Sequence, residues 1–221
     1  TTVGGSYANG TCSNVSCHGS RSPNWTEGAE FTCISCHGGT DNLTGAPPVD
    51  LQGNTSKTAR GVGAHTAHMT DSQWGRAYDC IECHIKPVNV GDSGHIDSNR
   101  PAEIVWGEFS KTGNLTPNWD GSKCDNIYCH GGSLKDGSVK NPQWTGAQTL
   151  PCDACHGLPP DTGGHKEHVE KQIDCNICHT GYSKNTVVNK AVHVDGKNDV
   201  QLSTTVGGSY ADREERRVGK E

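Results

Sequence analysis

The chain has 221 residues, of which 31% are hydrophobic and 5% aromatic, with 29 Gly, two Phe and one Met. A domain of this size packs far more Leu, Ile, Val and Phe into a core, so the chain either stays disordered or folds around apolar material that is not its own. A formal charge of −6 excludes a basic nucleic-acid interface, and no apolar run approaches the ~20 residues of a membrane-spanning helix.

Thr1-Thr2-Val3-Gly4-Gly5 shows no basic or apolar leader, which leads us to expect that any signal peptide has been removed. The twelve Cys then form six pairs, and a His follows the second Cys of each. In chain order the pairs are Cys12/Cys17 with His18, Cys33/Cys36 with His37, and Cys80/Cys83 with His84. They continue with Cys124/Cys129 and His130, Cys152/Cys155 and His156, and Cys175/Cys178 and His179. Four are C-x-x-C-H; the first and fourth are C-x4-C-H.

C-x-x-C-H is the attachment signature of c-type haem. Two thiols add to the two haem vinyl groups, and the adjacent His lies under the iron as proximal ligand. Two extra residues in C-x4-C-H can bulge outward and leave those groups in place. Structural zinc sites join two Cys pairs, or a pair with two His, around one ion, and do not need a His after every second Cys. A disulfide framework leaves the six histidines unexplained as well.

Six further His remain: His65, His68, His95, His165, His168 and His193. Six irons and six spare imidazoles predict bis-His ligation throughout. Met69, the only Met, is expected to fill space rather than bind iron.

The order of motifs is duplicated. Residues 12–95 run C-x4-C-H, Pro23-Asn24-Trp25-Thr26, C-x-x-C-H, Gly63-x-His65-x-x-His68, C-x-x-C-H and a lone His95. Residues 124–193 repeat this with Pro142-Gln143-Trp144-Thr145, Gly163-x-His165-x-x-His168 and a lone His193. The predicted organisation is a trihaem unit over 1–101 with a loop insertion at about 39–61, a linker over 102–123, a second trihaem unit over 124–200, and a repeat strand with a charged tail over 201–221. Secondary structure is expected to be sparse: mostly irregular coil, short helical turns at the motifs and at each H-x-x-H, and a short strand at Ile104-Val105-Trp106. Each H-x-x-H is expected to serve two different irons. Thr1–Ala8 recurs identically at Thr204–Ala211, as a remnant of a tandem array or as a strand by which subunits join head to tail.

This pattern resembles the tandem CxxxxCH/CxxCH multihaem cytochromes of metal-reducing bacteria, over essentially residues 12–193. The resemblance implies six covalently attached haem c groups in a stacked, low-potential row, secretion, and a place at the cell surface or outside the cell, with the periplasm as the alternative. It also implies other multihaem cytochromes or identical subunits as partners, terminal extracellular acceptors, and in some relatives polymerisation into filaments. Two axial imidazoles leave an iron no substrate position, so the expected role is electron transfer and not catalysis. The rival readings are a soluble shuttle and a multihaem reductase with one open iron, for which Lys86 or Lys166 would be the unusual ligand.

Overall fold

The computed structural model describes residues 5–15, 18, 24–26, 28, 33–37, 49–98, 101–146, 148–183, 186–187, 189–197, 200 and 202–207. Cys17, the first part of the 39–61 insertion, and half of each identical terminal segment lie outside them.

Turns and coil carry the chain. Strands β1 (Ser6–Ala8) and β2 (Thr11–Ser13) form an antiparallel hairpin closed by Asn9 and Gly10. Both turn residues have positive φ, the geometry that matches strand twist in a two-residue hairpin. Helix α1 spans Cys33–Cys36 and α2 His65–Met69, and a 3-10 turn covers Cys80–Glu82. The second half brings β3 (Asn118–Trp119), β4 (Cys124–Asp125) and a 3-10 turn at Tyr128–His130. Helix α3 (His165–Glu170), a 3-10 turn at Cys175–Ile177, and the pair β5 (Tyr182–Ser183) and β6 (Thr186–Val187) follow. No helix among the described residues is long and apolar enough to cross a membrane.

The duplication extends to backbone pairing. Tyr7 pairs with Cys12 and Trp119 with Cys124; Ser6 pairs with Ser13 and Asn118 with Asp125. Each hairpin receives a third segment in the same place, by bridges Thr11–Asn24 and Lys123–Gln143. Trp25 N–H donates to the Gly10 carbonyl at 2.6 Å, and Trp144 N–H to that of Ser122 at 2.9 Å.

The segment 102–123 packs against both halves. Ser110, the largest fully buried side chain, donates its hydroxyl to the Glu82 carbonyl at 2.8 Å, and its own carbonyl accepts from Tyr128 N–H at 3.1 Å. Ile104-Val105-Trp106 is not a strand. The backbone here bonds instead to a helical turn, with Val105 N–H on the Cys83 carbonyl and Gly107 N–H on that of Glu82. In the described part of the 39–61 insertion, the buried Asp50 accepts from the backbone N–H groups of Gln52 and Asn54 and so closes a turn.

Among the described residues only Val62, Ile127 and Ala154 are buried hydrophobic side chains. Three small or medium residues cannot offset the backbone entropy of ordering such a chain. The place of a core is taken by a cavity of about 2690 Å³.

Candidate haem-binding site

Backbone geometry sets each motif His. In three C-x-x-C-H motifs the His N–H closes an i to i+4 bond onto the first Cys: His37 to Cys33, His84 to Cys80 and His179 to Cys175, at 2.8–2.9 Å. In the C-x4-C-H motifs the bond reaches back three residues, His18 to Val15 and His130 to Ile127. Their extra residues include Asn14 and Asn126, both at positive φ, a conformation Asn tolerates better than other side-chain-bearing residues. The bulge expected from the spacing therefore has a residue suited to it. Cys152–His156 is held differently, by Ala154 N–H on the Pro151 carbonyl.

Asp79 and Asp174 immediately precede the third motif of each half. Their carboxylates accept from Ile81 N–H at 3.1 Å and Asn176 N–H at 3.0 Å, capping the turns that carry Cys80 and Cys175. Sequence reasoning passed over these two caps, although an Asp before the third motif of both halves was a readable signal.

The spare histidines are tethered through one ring nitrogen. Nδ1 of His65 lies 3.0 Å from the Val62 carbonyl and that of His68 2.9 Å from Ala64. In α3, Nδ1 of His165 lies 2.5 Å from the Thr162 carbonyl and that of His168 2.6 Å from Gly164. His95 bonds to Val90 at 2.8 Å, and His193 reaches the Trp74 carbonyl in the other half. The motif residues His84 and His156 make the same contact, with Glu103 and Gly157. A carbonyl on Nδ1 fixes the tautomer with that nitrogen protonated, and it leaves Nε2 as the lone-pair donor toward a metal. His130 differs: its Nδ1 is buried with no hydrogen-bond partner.

Five pairs of rings face one another, each joining one motif His to one spare His. Centroid separations are 5.9 Å for His37–His95, 6.3 Å for His84–His65 and 6.0 Å for His130–His68. They are 6.4 Å for His156–His193 and 6.0 Å for His179–His165. An imidazole nitrogen binds a first-row metal at about 2.0 Å, so two rings on opposite sides of one metal stand roughly 6 Å apart at their centroids. His65 and His68 thus face different partners, one within its own half and one in the other. His18 sits in a turn of intermediate burial and His168 is exposed.

The surroundings suit haem rather than a bare ion. Among the described residues every Cys except Cys12, and every His except His18, lines the large cavity. No three His, Cys, Asp or Glu side chains among them could hold one metal ion, which argues against zinc. Burial pushes the Cys83 thiol up to about 11 and those of Cys124 and Cys129 to about 12, as expected for thiols set in apolar surroundings. Burial also brings His65 and His130 down to about 4; repulsion from His84 and His68 adds to it at His65, and from His68 at His130. His37 and His193 are lowered as well, again chiefly by burial. Neutral imidazoles are the form that binds metal. The fit is to a large, flat, apolar group carrying its own metal.

Residues 123–156 match the protein-family model described as Geobacter CxxxxCH...CXXCH motif. No curated protein and no solved structure matches the chain. The matched stretch contains Cys124–His130 and Cys152–His156, and with the other motifs it indicates covalently bound haem c. The family match supports a multihaem c-type cytochrome, and with it electron transfer in general.

Proposed function

We propose that the chain carries electrons along six covalently attached haem c groups, every iron held between two imidazoles. The observation that carries this reading is the set of five facing pairs, each of which joins a motif His to a spare His. The shared hairpin register and motif bonds favour two tandem trihaem units. Six haems on 221 residues lie close enough to pass electrons from one to the next, while the protein sets spacing, burial and local charge. The proposed setting is extracellular or at the cell surface, with a redox partner that is another multihaem cytochrome or a further copy of this chain. The reductase reading gains nothing from Lys86, whose ammonium is engaged by Asp79 at 2.6 Å.

Intact mass tests the haem count: the holoprotein exceeds its polypeptide by six haems. Four haems, with Cys12/Cys17 and Cys124/Cys129 left as thiols or disulfides, would restrict attachment to the C-x-x-C-H motifs. Ready carbon monoxide binding by several reduced haems would overturn the electron-carrier reading in favour of an open iron.

A further inference from the structure

The candidate site at His130 lies on the joint between the two halves and differs from its neighbours at one atom. His130 of the second half faces His68 on α2 of the first. Trp144 closes over this contact. Its Nε1–H donates to the Arg60 carbonyl at 2.7 Å, its ring lies 5.8 Å from that of His68, and a Cβ on Gly63 would run into the indole. Two further sites adjoin this one. Helix α2 also carries His65, which faces His84. On the other side Cys155, next to His156, donates its thiol to the Cys129 carbonyl at 3.8 Å.

Both neighbours have both of their imidazoles tethered. At one, Nδ1 of His84 lies 2.8 Å from the Glu103 carbonyl and that of His65 3.0 Å from Val62. At the other, Nδ1 of His156 lies 2.8 Å from the Gly157 carbonyl, and that of His193 bonds to the Trp74 carbonyl. At the joint only His68 is tethered, to Ala64 at 2.9 Å. Nδ1 of His130 is buried and has no hydrogen-bond partner among the described residues. This difference reaches an iron through the ring. An Nδ1–H that donates to a carbonyl makes Nε2 the more basic ligand. A more basic ligand favours ferric iron over ferrous and lowers the potential. A ring without that bond, in a site closed to water, leaves the ferric state less supported.

Nearby charge does not undo the difference. Burial first, and the Glu82 carboxylate next, raise the thiols of both Cys83 and Cys129, so Glu82 acts on the sites of His84 and His130 alike. Opposing it at the joint is the Arg60 guanidinium, 5.8 Å from the centre of Trp119, the residue that pairs with Cys124. A fixed cation favours the reduced state of an iron beside it.

We propose that His130 makes the haem attached at Cys124 and Cys129 the first of these three to take an electron, a resting stop where electrons cross between the halves. An electron on either neighbour passes to it: the donor haem goes from ferrous to ferric, the receiving haem from ferric to ferrous, and no ligand or proton changes place. The inference rests on the bis-imidazole reading above. The expected preference over each neighbour is at least about tenfold in the reduction equilibrium, or about 59 mV for one electron.

The test uses the full haem-loaded chain, with loading checked by intact mass. His68→Met, His65→Met and His193→Met each exchange one imidazole for a thioether and raise the potential of the haem they serve, so each marks one step of a redox titration followed by EPR. The step displaced by His68→Met is expected to start at a higher potential than those displaced by the other two. A lower starting potential than either would overturn the proposal. The unsubstituted protein with 15N-labelled histidine gives an independent check by NMR. One axial Nδ1–H lacks the hydrogen-bonded shift, and the haem bearing it is reduced before its two neighbours. Hydrogen bonds on every axial ring, or later reduction of that haem, would likewise overturn the stop while six low-spin haems left the electron-carrier reading standing. Fewer than six haems, or an open iron in the unsubstituted protein, would overturn that reading instead.

Discussion

Trp144 stands edge-on to His65, ring centroids 4.7 Å apart and planes at 85°, although the two lie in different halves of the chain. The indole therefore braces a candidate iron ligand from across the joint, and its space exists only because residue 63 is Gly. Gly63 has φ +42 and Gly163 φ +58. An Ala costs about 1 kcal/mol at either left-handed position. At Gly63 it also collides with the half-buried indole, for a further 1–3 kcal/mol or so of overpacking. In dilute solution Gly63→Ala thus lowers the melting temperature clearly more than Gly163→Ala. Trp144→Phe, which keeps an aromatic ring but loses the bond to Arg60 and part of the indole's volume, costs about 1–3 kcal/mol. Equal effects of the two glycine substitutions would show that the indole does not occupy that space.

The aspartate caps give a second expectation. Asp79→Ala and Asp174→Ala each remove one acceptor from the start of a turn that carries two cysteines, at about 1 kcal/mol apiece. Lys86→Ala removes only an exposed ion pair and costs a few tenths, roughly the value for surface pairs. The Asp79 carboxyl is held below its ordinary 3.8, by the Lys86 ammonium first and the Ile81 N–H next. A depressed carboxylate stabilises the fold above its unfolded value. That contribution is complete above about pH 5 and is lost as acid carries the pH down through the folded value. Melting curves of the three variants at pH 7 and pH 3 check this: the gap between Asp79→Ala and wild type narrows at the lower pH.

The candidate motif cysteines and histidines stand out in the sequence because haem attachment would fix their spacing locally, and the six spare histidines stand out by their matching number. The same holds for the short turns at Cys80 and Cys175 and the two H-x-x-H helices, which are single turns closed by near neighbours. What spacing could not give was partnership. His68 faces His130 and His193 bonds to Trp74, and both relations depend on how the halves pack, for which one-dimensional periodicity carries no signal. The strand expected at Ile104-Val105-Trp106 failed for a related reason: β-branched and aromatic residues favour extended backbone, but the donors of this stretch found a helical turn rather than another strand. The paired hairpins at Tyr7 and Trp119 were missed because strands of two or three residues lie below any alternation pattern.

The last expectation concerns a single iron. His193 faces His156 at 6.4 Å, and its Nδ1 is tethered to the Trp74 carbonyl of the other half. The ring is thus positioned from outside its own half, and its neutral form is favoured by burial. Replacing it by a smaller group should open one coordination position without touching the attachment of that haem to Cys152 and Cys155. His193→Ala is expected to keep the haem count of the unsubstituted protein by mass, to show one high-spin ferric haem by EPR, and to bind one carbon monoxide per chain when reduced. His193→Met offers a thioether in place of the imidazole and should raise the potential of that one haem, so a redox titration resolves a single high-potential step while the remaining steps stay in place. The two variants separate ligation from folding: if both lost haem, His193 would be serving the fold, and if neither changed the spectrum, the ring facing His156 would not be its partner across an iron.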